Sequence, residues 1–176
     1  MKKLYLFTIV LCSSLFSFSQ DLEIGVKLIE NNTVKKVTSS KSVLFVIEDD
    51  THYIHFYLDL ARKIKRKLRK STSAVDFNYE MSSEFKPFEF DLKRIPNKKY
   101  DKLNYDIVCF LETSNMKNFD ATKERERVII FDLDLNISES STNKTIEIAK
   151  LHIAANNFIA DHNKEAAHLI SEIIIQ

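Results

Sequence analysis

Five side chains that could do chemistry sit within eight residues: Glu48, Asp49, Asp50, His52 and His55. They follow an apolar run, Val43 to Ile47, at what reads as the carboxyl end of a strand, the edge of an α/β sheet where ligands bind. His52 and His55 are three apart and can share one helix face. Asp49 or Asp50 could then complete a divalent metal site, the basis of a small metal-dependent hydrolase. The plainer reading is helix capping by the carboxylates and solvation of the histidines. Asp132 and Asp134 are two apart on a strand and face one side. Paired carboxylates can move protons or bind a cation, but Phe131, Leu133 and Leu135 between and beside them describe an alternating strand with one wet face. His162, Glu165 and His168 follow at threes on a helix, an arc that suits solvation better than shared ligation.

The most distinctive surface feature is a run of cations. Arg62, Lys63, Lys65, Arg66, Lys67, Arg69 and Lys70 occupy seven of nine successive positions with no acid among them. With Ile64 and Leu68 turned inward, Lys63, Arg66, Lys67 and Lys70 form one cationic patch fit for an anionic surface or an acidic partner. The alternative is a solvated helix end, where cations complement the helix dipole.

Gly25 is the only glycine. Phosphate-cradling loops need glycine for close backbone approach, so a P-loop, a dinucleotide fingerprint and a G-x-S-x-G nucleophile elbow are excluded. Turns must use asparagine, aspartate and serine, with Asn31-Asn32, Asn97 and Asn143 as the places to look. No cofactor motif is present.

Residues 1–19 read as a secretory signal: Lys2 and Lys3, an apolar run from Leu4 to Phe16, then small residues at Ser17 and Ser19. The run is short for a bilayer span of about 20 residues. Cys12 within it raises a lipoprotein, but Leu11 stands where lipidation wants a small residue. Cleavage would leave Gln20 first, no integral span, and a single cysteine, Cys109, in an apolar run. A disulfide within the chain is then impossible, and the core must hold the fold alone. Without Lys2 and Lys3 the charges are 24 basic against 25 acidic, a net of −1, which does not point to nucleic acid. The expected address is the periplasm, the outer envelope or the medium. The oligomeric state is not readable.

Residues 20–41 read as a hairpin, or as a linker with strand character, alternating weakly around Glu30-Asn31-Asn32, and 42–176 as a single α/β domain. Val43–Ile47 is a strand covered on both faces. A helix over 52–70 has the stripe Ile54, Tyr57, Leu58, Ala61, Ile64 and Leu68. Val75, Phe77 and Tyr79 mark a second strand. An irregular connection over 82–104 ends in a helical turn near Tyr100 to Leu103. Strands follow at 105–111, 128–137 and 145–153, with 114–126 a polar turn region, and 156–176 closes as a helix with Ile159, Ala166, Ile170, Ile173 and Ile174 inward. The order is β-α-β-(irregular)-β-β-β-α, and the layers are a mixed β-sheet with two main helices on one face.

This order resembles that of the small envelope domains related to the TolB amino-terminal domain and the curli-secretion lipoprotein family. Tyr100, Leu103, Tyr105, Asp106, Ile107 and Val108 fit the step from a short helix into a strand. Phe131, Leu133 and Leu135 fit the first hairpin strand, and Asn156 to Gln176 the last helix. The glycines those domains often place after the third strand and in the hairpin are missing here. The resemblance implies an accessory or assembly role in the envelope, bound to a protein partner, with no catalytic residues to carry over.

Overall fold

The computed structural model describes residues 23–33, 41–82, 95–120 and 127–175. The expected signal segment, part of the expected hairpin or linker, most of the irregular connection and residues 121–126 lie outside the described residues.

Six strands form one mixed sheet in the order β1-β6-β5-β4-β2-β3, namely β1 Gly25–Thr33, β2 Val43–Ile47, β3 Val75–Tyr79, β4 Ile107–Asp120, β5 Arg127–Glu139 and β6 Thr145–Asn156. Helices α1 (Ile54–Leu68) and α2 (Asn163–Ile175) pack on one face. β2 runs parallel to both β3 and β4, and the remaining neighbours are antiparallel. The α+β class, the mixed sheet and the element order are therefore as the sequence implies.

The continuous apolar run of β2 has its physical reason in two covers. Val43, Phe45 and Ile47 join the core under the helices, with Phe45 stacked on Phe77 at 4.9 Å. Leu44 and Val46 face the other way and meet Val108 beneath Tyr100, Tyr105 and Phe110. That second cover is pinned by polar bonds. Asn78 donates to the Tyr100 carbonyl and accepts from its amide, both at 2.9 Å. The Tyr105 hydroxyl donates to Asp76 at 2.8 Å. The 3-10 turn Lys102–Asn104 lies between these anchors.

Four local expectations are corrected. The polar stretch from Ser114 is not a turn: β4 continues to Asp120, paired with β5 as far as Arg127, with a bulge between Ser114 and Lys117 and Asn115 at φ 54°. Ser114 to Asn118 are half-buried or exposed and show little apolar alternation, which hid the strand. Around Glu30, Asn31 and Asn32 the chain has strand character and no hairpin: β1 runs straight through them along β6, with a bulge at Ile29. β6 reaches Asn156 and α2 begins only at Asn163, after a turn in which Asn157 takes φ 65°. In α1, Phe56 and Leu60 are fully buried, whereas Leu58 is half-buried. The inward face is wider than the six-residue stripe and is centred on Leu60 and Ile64, which leaves Leu58 at its margin. Asn143, in the β5–β6 turn, has the positive φ of 54° expected of a turn built without glycine.

Candidate functional site

Of the residues expected to ligate a metal, the two carboxylates are engaged in local hydrogen bonds and the two histidines are exposed. Asp49 is turned inward. It accepts hydrogen bonds from the hydroxyls of Tyr57 and Thr113, from the Thr113 amide at 2.8 Å and from the Asp50 amide at 2.7 Å. Asp50 caps the 3-10 turn Thr51–Tyr53 by accepting from the His52 amide at 2.7 Å. His52 is exposed, its ring edge-on to Tyr53 at 5.7 Å, and His55 is exposed on α1. The two carboxylates thus hold the β2–α1 junction and tie it to Thr113 of β4. Among the described residues, no three His, Cys, Asp or Glu side chains form a group that could hold a metal ion.

Asp132 and Asp134 do share a face, the one opposite the helices, and each has a partner directly across on β6. Asp132 meets His152 Nδ1 at 2.7 Å and accepts from Asn115 at 2.7 Å. Burial pulls its pKa up, but the bonds from Asn115 and His152 outweigh that and hold it below the usual carboxylate range. Asp134 pairs with Lys150 at 3.0 Å and accepts from the Ser114 hydroxyl. The sequence carried a signal for this in the matching two-residue spacing of Lys150 and His152. These are cross-strand pairs on the wet face of an alternating strand. His162 and His168 engage separate partners, Glu165 at 3.5 Å and Glu172 at 3.3 Å. Cys109 is fully buried, and burial raises its thiol pKa, as befits a small core side chain.

The cationic run keeps its character after folding, in altered membership. Ile64 and Leu68 are completely buried and lock the last turns of α1 to the sheet. Arg62 and Lys63 both close on Asp59. Lys65 reaches Asp76 at 3.3 Å. Lys63, expected in the patch, is half-buried and neutralised, because its position four residues after Asp59 brings the two together. Arg66, Lys67, Arg69 and Lys70 are exposed and have no acidic partner among the described residues. Arg69 thus joins the three cations expected there. The four lie at the negative end of the helix dipole, Arg69 as the cap and Lys70 in the turn that follows. Among the described residues no helix is long and apolar enough to cross a membrane.

No protein-family model matches the sequence, and no curated protein matches it. Among solved structures, two of the PelC dodecamer from Paraburkholderia phytofirmans are 10% and 12% identical. Each aligns over 85% of this chain and 95% of that one, with TM-scores of 0.48 and 0.47. Protein CT253 of Chlamydia trachomatis is 14% identical over 69% of this chain and 75% of its own, with a TM-score of 0.35. A minor lipoprotein from Acinetobacter baumannii is 14% identical over 75% and 83%, with a TM-score of 0.32. Likenesses of this size carry no function across. The resemblance to the TolB and curli-secretion domains rests on element order alone.

Proposed function

We propose that this chain is an exported accessory domain of the cell envelope that docks on an anionic surface through the carboxyl-terminal end of α1. One observation carries the reading: Arg66, Lys67, Arg69 and Lys70 are all exposed at the end of α1 without acidic partners among the described residues, while the neighbouring Arg62, Lys63 and Lys65 are each paired. The signal-like residues 1–19 supply the route out of the cell. The element order shared with small envelope domains supports the same setting.

Each cation close to an anionic membrane contributes about 1 kcal/mol. Four contribute about 4 kcal/mol, which is weak and reversible binding in the millimolar range. Such binding is sensitive to salt, since the Debye length falls to about 3 Å at 1 M. Purified protein lacking residues 1–19 is expected to sediment with phosphatidylglycerol vesicles at low salt and to be released at about 1 M salt. Equal sedimentation with phosphatidylcholine vesicles, or retention at high salt, would contradict the reading.

A further inference from the structure

β1 forms one edge of the sheet, and among the described residues no strand pairs with its outer side. Edge strands are commonly blunted by short length, by proline or by charge, which keeps them from pairing with another chain. The opposite edge follows that rule: β3 has five residues, all buried or half-buried. β1 has nine residues, no proline and one charge of each sign, Lys27 and Glu30, and every residue from Lys27 to Thr33 is exposed. Ile24 just before the strand, Leu28 and Ile29 within it, and Ile148 beside it on β6 are four of the seven large apolar side chains exposed among the described residues. Apolar exposure gathered in one place marks a contact surface, whereas scattered exposure does not.

β1 is also complementary to itself. Its bulge lies at Ile29, between Leu28 and Glu30. Lys27 stands across from His152 and Glu30 across from Lys150, so both charges belong to the sheet face opposite the helices, one on each side of the bulge. A second β1 laid antiparallel about a two-fold axis at the bulge brings Lys27 of each copy opposite Glu30 of the other, and Leu28 opposite Ile29. In an isologous contact residue i meets j and j meets i, and a lysine and a glutamate astride the centre of one strand satisfy that condition. We propose that this chain forms a two-fold homodimer through β1, the two sheets joining edge to edge with the helices of both copies on one face. The backbone groups on the outer side of β1 then pair with the second copy. Opposite charges directly across antiparallel strands favour the pairing, and like charges oppose it. Within one chain Lys27 closes on Glu23, and Glu30 accepts from Asn32 at 2.9 Å. Exposed contacts of this kind are worth little and exchange readily for those of the dimer. The contact lies at the sheet edge far from β3 and does not depend on what the end of α1 docks on.

Sedimentation velocity of purified protein lacking residues 1–19, over a range of concentrations, is expected to show a monomer–dimer equilibrium. Glu30→Lys sets lysine against lysine in both symmetry-related pairs and is expected to be monomeric, with a melting temperature close to that of wild type. Lys27→Glu/Glu30→Lys restores opposite charges across the axis and is expected to dimerise again. The register is read by cross-linking: Lys27→Cys and Glu30→Cys are oxidised separately and as a mixture. Only the mixture should give a disulfide-linked dimer, because residue 27 of one copy meets residue 30 of the other, while like positions lie diagonally across the axis and out of disulfide reach. Cys109 is fully buried and does not compete. The cross-link decides the case if Glu30→Lys does not fold. Wild type that stays monomeric at every concentration up to its solubility limit would overturn the dimer. A mixture that gives no more linked dimer than the single variants, or a dimer that persists unchanged in Glu30→Lys, would overturn its assignment to β1.

Discussion

Asn163 reaches across 104 residues of sequence to bind Asp59, and the two side chains hold α2 against α1. Asp59 also takes Arg62 and Lys63, so one carboxylate both anchors the second helix and neutralises the upper part of the cationic run. The boundary between paired and unpaired cations on α1 is set by this carboxylate, which takes Arg62 and Lys63, and by Asp76, which takes Lys65.

That relationship has a pH signature. Burial raises the Asp59 pKa, but hydrogen bonds from Lys63, Asn163 and Arg62 more than offset it and bring it from 3.8 down to about 2. A carboxylate depressed on folding contributes stability that is present above its unfolded value and lost as pH falls through its folded value. Asp59→Asn is expected to destabilise by about 2 kcal/mol at neutral pH. The difference from wild type should shrink as pH falls from about 4 to about 2. Denaturant midpoints across that window check it, and a difference that stays constant would contradict it.

Glu147 has the opposite sign. Its side chain is buried at 1% exposure, and Oε1 has no hydrogen-bond partner among the described residues. Burial raises its pKa, and bonds from Thr33 and Asn31 of β1 only partly oppose this. A raised carboxyl favours the fold while protonated and loses that advantage as pH rises through its folded value. Glu147→Gln is therefore expected to be more stable than wild type at neutral pH, with the gain vanishing below the ordinary glutamate value of 4.5. Thermal unfolding at the two pH values measures it, and a variant less stable at neutral pH would refute it.

Core truncations separate Leu58 from Leu60 on α1. Leu60 is fully buried and Leu58 is at the margin. Leu60→Ala and Ile170→Ala are each expected to cost about 2–5 kcal/mol. Leu58→Ala is expected to cost less than about 2 kcal/mol. Equal losses from Leu58 and Leu60 would contradict the orientation of the helix.

The element order and the doubly covered β2 were legible in the sequence because apolar runs and helical stripes are signals local to a few residues. Ile170, Ile173 and Ile174 pointed inward for the same reason. The extension of β4 from Ser114 to Asp120 was not legible, since its pairing with Arg127 to Asp132 is a property of the partner strand. The site was half legible. The cationic run is plain in the sequence, but which cations remain free depends on Asp59 four residues upstream of Lys63 and on Asp76 eleven residues downstream of Lys65. Asp49 and Asp50 looked like ligands because sequence shows carboxylates close together but not Thr113, 64 residues away, which claims one of them.

The central claim is that the unpaired end of α1 is the docking surface, and one measurement tests it most directly. Changing Arg66, Lys67, Arg69 and Lys70 together to Gln removes the patch while leaving Ile64 and Leu68 in place. The account predicts that low-salt sedimentation with phosphatidylglycerol vesicles is abolished. The melting temperature should change little, since surface substitutions of this kind cost about 0.5 kcal/mol or less each. A quadruple variant that folds and still sediments like wild type would show that the cations are only a solvated helix end.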